Sequence, residues 1–166
     1  MRYCKGVQKI EVFEDDLIIK SGADGVTNVE EIIWLKEKLL EISKKWKGKK
    51  WAYIADISKL EIVPTEVSSE LIKLHVEIFK NGCVCVGFVE PEKAFISRQA
   101  AVHNRMSNTG LQEGHFNSFD DAFSWAKEHN RLLVSIGIVL GVLVLNSGKP
   151  FHKILALFGF ETSPIF

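Results

Sequence analysis

The 166-residue sequence predicts an α/β fold, a mixed β-sheet with an N-terminal hairpin and helices packed on it, followed by a hydrophobic C-terminal segment. Trp51 to Ile57 (WAYIADI) and Cys83 to Val89 (CVCVGFV) are apolar almost throughout, the pattern of strands covered on both faces. Leu35, Leu39, Ile42 and Trp46, and again Val67, Leu71, Leu74 and Ile78, recur at steps of four, three and four, which marks the buried stripes of two helices. Strands therefore alternate with helices along the chain.

The elements follow in order. Gln8 to Phe13 and Leu17 to Ile19 flank the acidic turn Glu14-Asp15-Asp16 and read as a hairpin. Ser21 to Gly25 is turn-rich. Thr27, with Glu30 three residues on, fits a capping box that opens a helix from about Asn28 to Trp46. Lys44, Lys45, Lys47, Lys49 and Lys50 cluster at its C-terminal end, where cations meet the negative end of the helix dipole. Beyond the strand at Trp51 and the loop Ser58 to Pro64, Thr65 reads as the N-cap of a second helix reaching Lys80. Asn81-Gly82 ends it. Pro91 suits the first turn of a third helix, which extends to Ser107. His115 to Asn117 reads as a short strand. Ser118 with Asp121 opens a fourth helix whose inward residues are Phe119, Ala122, Phe123 and Ala126. The predicted order is β-β-α-β-α-β-α-β-α.

Composition excludes several classes. Hydrophobic residues make up 46% and charged residues 25%, so the chain has enough apolar material for a packed core. Lys and Arg number 21, as do Asp and Glu, and a balanced charge lacks the basic surplus of a nucleic-acid footprint. Three cysteines (Cys4, Cys83 and Cys85) form no disulfide framework. Cys83 and Cys85, two apart, are expected on one face of a strand as small buried hydrophobes. Met1 to Lys20 lacks the apolar core of an export signal, so the expected compartment is the cytoplasm. No GxGxxG, no GxxxxGK[ST] and no metal-ligand spacing is found, so neither cofactor nor metal is expected.

A strand ending in Asp56-Ile57-Ser58, then a loop, a capped helix and a buried strand resemble the STAS domain, the fold of the anti-sigma-factor antagonists. Trp51 to Asp56 fits a Trp-x-x-x-x-Asp strand. Phe116, Ala122 and Trp125 fit a C-terminal Phe-x-x-x-x-x-Ala-x-x-Trp element. Both look like the SpoIIAA-like branch of that group, which is similar in fold to the CRAL-TRIO lipid-transfer domains. The resemblance covers about residues 7 to 130, and with the change of composition near residue 130 the chain divides into a domain over 1–130 and a hydrophobic tail over 131–166. The resemblance implies a regulatory module in which a Ser or Thr at the start of the helix after the Asp56 loop is phosphorylated by a partner kinase. Thr65 falls near that place. The family pattern there is Asp-Ser-Ser-Gly, whereas this chain has Val63-Pro64-Thr65-Glu66.

Open α/β sheets place ligands beyond the carboxyl ends of their parallel strands, and that edge would carry Asp56, Ser58, Thr65, Glu90 and Pro91. Asp56 could pair with Glu90 as two carboxylates. Arg98 and Arg105, seven apart, fall on one helix face and could hold an anion or an acidic partner. His75 is expected at the core edge. No spacing supports a nucleophile, so the expectation is a non-enzymatic module. It would bind a protein partner or a small apolar or anionic ligand at the Asp56–Thr65 loop face, through Asp56, Ser58, Thr65, Glu90 and Arg98. A lipid or apolar-ligand carrier of CRAL-TRIO type is the alternative.

The charge pattern changes near residue 130. Before it lie 18 of the 21 Lys and Arg and 20 of the 21 Asp and Glu, and after it only Arg131, Lys149, Lys153 and Glu161 are charged. Leu132 to Leu145 is a 14-residue uncharged run, shorter than the ~20 residues of a membrane-spanning helix. Three readings stay open: an element packed on the domain, a segment contacting a membrane, or an extension without selected function.

Overall fold

The computed structural model describes residues 1–90 and 94–131, the side chains of 94–98 excepted. Six strands form one sheet in sequential order: β1 (Arg2–Lys5), β2 (Gln8–Phe13), β3 (Ile18–Ala23), β4 (Trp51–Asp56), β5 (Cys83–Val89) and β6 (Gln112–Phe116). The pairs β1–β2 and β2–β3 are antiparallel, and β3 through β6 run parallel. Helices α1 (Val29–Lys45), α2 (Thr65–Lys80) and α3 (Ala94–Met106) connect the parallel strands, and α4 runs from residue 119 to 131. Residues Met1–Asn130 form one compact unit.

The sheet is covered on both sides, as the apolar runs require. On its first side Ile19, Trp51, Tyr53, Val86 and Phe88 meet Leu35, Leu39 and Ile42 of α1 and Val67, Leu74 and Ile78 of α2. On its second side Ile18, Ala52, Ile54, Cys85 and Val89 meet Ala122 and Ala126 of α4. The Phe116–Ala122–Trp125 element has a physical cause. Gly87 and Gly114 sit side by side on β5 and β6, and a Cβ at either would face Phe116 and Trp125. Two missing side chains make a bed for the two rings, whose centroids lie 5.3 Å apart.

Several expectations are corrected. β1 was not foreseen, and β3 runs through Ser21, Gly22 and Ala23 where a turn was expected. The cap of α1 is Asn28 with Glu31, one residue later than Thr27 with Glu30. Thr65 is the first residue of α2 rather than its N-cap, which is Pro64 and makes no side-chain cap bond. A proline presets an extended φ, so the helix starts without a hydroxyl cap. Cys83 and Cys85 face opposite sides, because the β4–β5 register shifts between Trp51 and Ala52. Both thiols are buried, and burial raises their pKa values, that of Cys85 to about 12. The start of the third helix at Pro91 and the tail from Leu132 lie outside the described residues.

The glycine bed gives a discriminating pair of substitutions. A Cβ at Gly114 would lie 2.6 Å from the Phe116 ring, and one at Gly87 no closer than 3.5 Å. Gly114→Ala is expected to destabilise by about 1–3 kcal/mol through overpacking. Gly87→Ala should cost clearly less. Urea unfolding of the two variants checks the order.

Candidate functional site

Asp56 is where the fully buried strand β4 emerges. Residues 51 to 55 are buried and Asp56 is half-buried. The period-two alternation puts Asp56 on the second side of the sheet with Ala52 and Ile54, and Lys20 on the same side with Ile18. Lys20 Nζ lies 2.9 Å from Asp56 Oδ2 and 4.4 Å from the centre of the Phe119 ring. Ser58 donates to Asp56 Oδ1 from its hydroxyl at 2.6 Å and from its backbone N–H at 3.3 Å. Burial pushes the Asp56 pKa up, yet the bonds from Ser58 and Lys20 outweigh it and hold the carboxyl below its ordinary value. Asp56 is thus an ionised group with its lone pairs engaged, a poor general base.

The loop after Asp56 is held by backbone bonds. Ile57 N–H donates to the Val89 carbonyl at 2.9 Å. Gly25 N–H donates to the Lys59 carbonyl, and Glu61 N–H to the Gly25 carbonyl, each at 3.1 Å. Leu60 and Val63 turn inward. Ile62, and Val26 across the pairing, are each 47% exposed. On the second side of the sheet a groove of about 570 Å³ opens beside Asp56, lined by Arg2, Lys9, Lys20, Asp24, Ser58 and Lys59 among others. That volume is within the range of about 300–1,000 Å³ of small-molecule clefts.

The other predicted site residues do not all converge there. Thr65 is exposed and lines neither this groove nor the cavity on the opposite side. Glu90 is not paired with Asp56; its carboxylate bonds His115 Nδ1. His115 Nε2 in turn meets Glu113, which accepts from Asn104 Nδ2 at 2.6 Å. Partial burial pulls the His115 pKa down, but the two flanking carboxylates prevail and raise it. The Arg98 side chain lies outside the described residues. Lys20 was missed by the sequence reading: it reaches Asp56 from a strand 36 positions away in sequence, and no local pattern announces that.

On the first side His75 is 4% exposed rather than at the core edge, and burial with help from His103 pushes its pKa down to about 4. Burial lowers that of His103 as well. Tyr53, whose hydroxyl lies 2.6 Å from Ser21 Oγ, is raised to about 12 by burial. Among the described residues no three His, Cys, Asp or Glu side chains converge as a metal cage.

No family model matches this chain, and no curated protein does. Among solved structures it is similar to an uncharacterised protein of the DUF3478 family with a SpoIIAA-like fold, from Shewanella loihica PV-4. The identity is 20%, the TM-score 0.56, and the match covers 70% of this chain and 90% of that one. The fold is therefore an α/β fold of SpoIIAA-like kind.

The buried imidazole sets a pH dependence. The pKa of His75 is about 4 folded against 6.5 unfolded, so between these values the unfolded chain binds a proton that the folded chain refuses. Stability is full above the upper value and falls as the pH drops through the window, by on the order of 3 kcal/mol in all. His75→Leu should flatten that acid limb, measured by urea unfolding at several pH values.

Proposed function

We propose that the domain is a non-enzymatic STAS-type binding module that docks a protein partner on the loop face around Asp56. The observation that carries the reading is the composition of that face. Two aliphatic side chains, Val26 and Ile62, stand exposed on backbone segments that are hydrogen-bonded to each other. Ion pairs stand on the same connections and at the head of the loop: Lys59 4.0 Å from Asp24, and Lys20 with Asp56. An apolar centre with a charged rim is the usual anatomy of a protein interface. The engaged state of Asp56 supports recognition over catalysis. The cavity on the first side, about 70 Å³, is small for an acyl chain, and the groove of about 570 Å³ on the second side is rimmed by Arg2, Lys9, Glu11, Lys20, Asp24 and Lys59, a charged lining that supports a docking module over a lipid carrier.

Site-specific photo-crosslinking in the native cell tests this. A photoreactive residue replacing Ile62 is expected to give one discrete protein adduct, and one replacing the exposed Glu37 on the outer side of α1 is not. Val26→Glu, in the chain carrying the photoreactive residue 62, should remove the adduct. Equal labelling from both positions overturns the proposal.

We further propose that the tail holds the module at a membrane surface. Among the described residues no helix is long and apolar enough to cross a membrane. The support is in the sequence: an uncharged run from Leu132 to Leu145, followed by Lys149 and Lys153, suits an interfacial segment with cations at the headgroups. The full chain is expected in the membrane pellet after carbonate wash, and a chain stopped at Asn130 in the supernatant. Recovery of both in the supernatant removes the tether.

A further inference from the structure

The α1–β4 turn carries a dense positive charge that the docking face does not use. Five of the seven residues from Lys44 to Lys50 are lysines, all exposed, and none of the seven is acidic. Lys45 lies 3.5 Å from Glu41; Lys44, Lys47, Lys49 and Lys50 have no ion-pair partner among the described residues. The helix dipole accounts for the cations in the last turn of α1, Lys44 and Lys45. Its influence falls off within that turn, so it does not account for Lys47, Lys49 and Lys50.

The turn is pinned in place. Lys47 N–H donates to the Lys44 carbonyl at 3.2 Å, and Lys49 N–H to the Trp46 carbonyl at 3.1 Å. The Trp46 ring packs edge-on against Trp51, with centroids 6.1 Å apart, and Trp51 N–H donates to the Gly82 carbonyl at 3.2 Å. Lys47 has φ +51°, in the left-handed region that favours glycine, so the backbone there asks for no lysine.

The chain leaves the domain at the same edge of the sheet. The turn delivers the backbone to Trp51 and Ala52, and Ala52 N–H donates to the Leu17 carbonyl at 3.0 Å. Asp16, next to Leu17, accepts at its carbonyl from Asn130 Nδ2 at 3.0 Å, and its carboxylate lies 2.7 Å from Lys127. The end of α4 is thereby fastened beside the starts of β3 and β4, and in the sequence the uncharged run Leu132 to Leu145 begins two residues on. Glu14, Asp15 and Glu128 stand near this edge as well, so the positive surplus belongs to the α1–β4 turn rather than to the whole edge.

We propose that the lysine turn is a second membrane contact, a surface for anionic phospholipid headgroups that acts together with the tail; it rests on the reading of the tail as a membrane-contacting segment. One modest apolar anchor gives only marginal, reversible attachment, and a polybasic patch is a common second signal. Each lysine near an anionic leaflet adds about fivefold in affinity. The balanced charge of the whole chain argues against a nucleic acid as the occupant.

Vesicle cosedimentation of the full chain tests this, with phosphatidylcholine vesicles and with an equal mixture of phosphatidylcholine and phosphatidylserine. The full chain is expected to bind both, the mixed vesicles about a hundredfold more tightly, and high salt should shrink that preference. Lys47→Gly, Lys49→Gln and Lys50→Gln together should remove most of the preference and leave binding to phosphatidylcholine unchanged. Glycine suits the φ of residue 47, which protects the fold. Lys49→Gln with Lys50→Gln, which leaves residue 47 untouched, is the second variant and should lose about tenfold of the preference. Lys5→Gln with Lys73→Gln, an equal loss of charge away from this edge, should leave the preference intact. Equal binding to the two kinds of vesicle, a preference undiminished in a folded Lys49→Gln, Lys50→Gln chain, or an equal loss with the control pair overturns the proposal and leaves the tail's contact standing. Binding to the mixed vesicles alone removes the tail's contact and supports the lysine turn. Binding to neither removes both.

Discussion

The structure depends on the burial of β4 on both faces. Five consecutive residues from Trp51 to Ala55 are out of water, and a strand in that position cannot sit at an edge or under one layer of helices. Trp51 is wholly buried, and its indole N–H donates to the Asn81 carbonyl at 2.9 Å, which fixes the end of α2 against the start of the strand. α1 and α2 supply one cover and α4 the other. The site follows from the same constraint. Asp56 is the first residue of the strand that reaches water, so a carboxylate appears where the covering layers end, and Lys20 of the neighbouring strand partners it. Its ionised form is held by hydrogen bonds against the pull of burial, the arrangement in which a half-buried charge stabilises rather than strains its surroundings.

A second knot secures the elements that frame the loop. The Glu31 carboxyl group accepts from Val7 N–H at 3.0 Å, Thr27 Oγ1 at 3.1 Å and Asn28 N–H at 3.2 Å. It thereby ties the β1–β2 turn, the β3–α1 connection and the start of α1 in one place. Gly6, at φ +55°, makes room for it: a Cβ there would lie 1.7 Å from Glu31 Oε1. The connection that carries Val26 is therefore fixed from below by side-chain bonds and from the side by the pairing of Gly25 with the loop after β4. A docking surface on a fixed frame loses little conformational entropy on binding.

The sequence made the covered strands and the two long helices legible because their signals are local: continuous apolar runs and a 3.6-residue stripe. It hid β1, since Arg2-Tyr3-Cys4-Lys5 has no apolar alternation and is held by pairing to β2 and by the Arg2–Glu11 ion pair. The cap shifted by one because Thr27 and Asn28 are both capable caps, and Thr27 is drawn away to Gln8. Of the site, Asp56 and Ser58 were legible from their place after a buried strand. Their partner Lys20, the diversion of Glu90 to His115, and the burial of His75 were not, because each depends on a pairing between distant segments. The faces of Cys83 and Cys85 were misjudged for a related reason: a register shift is a property of two strands and is not written in one.

Leu60 and Val63 belong to both the cavity wall and the loop that carries Ile62. The packing beneath the loop and the loop face therefore share residues, which is the condition for coupling a change in one to the other. Coupling of that kind requires a ligand to interact differently with two arrangements of the shared residues. The loop backbone is pinned at Ile57, Lys59 and Glu61 by its bonds to Val89 and Gly25, so a large loop displacement would break several hydrogen bonds at once. The arrangement favours recognition by a fixed surface: Leu60 and Val63 anchor the loop in the core, and a partner on Ile62 meets a loop with little freedom left to lose.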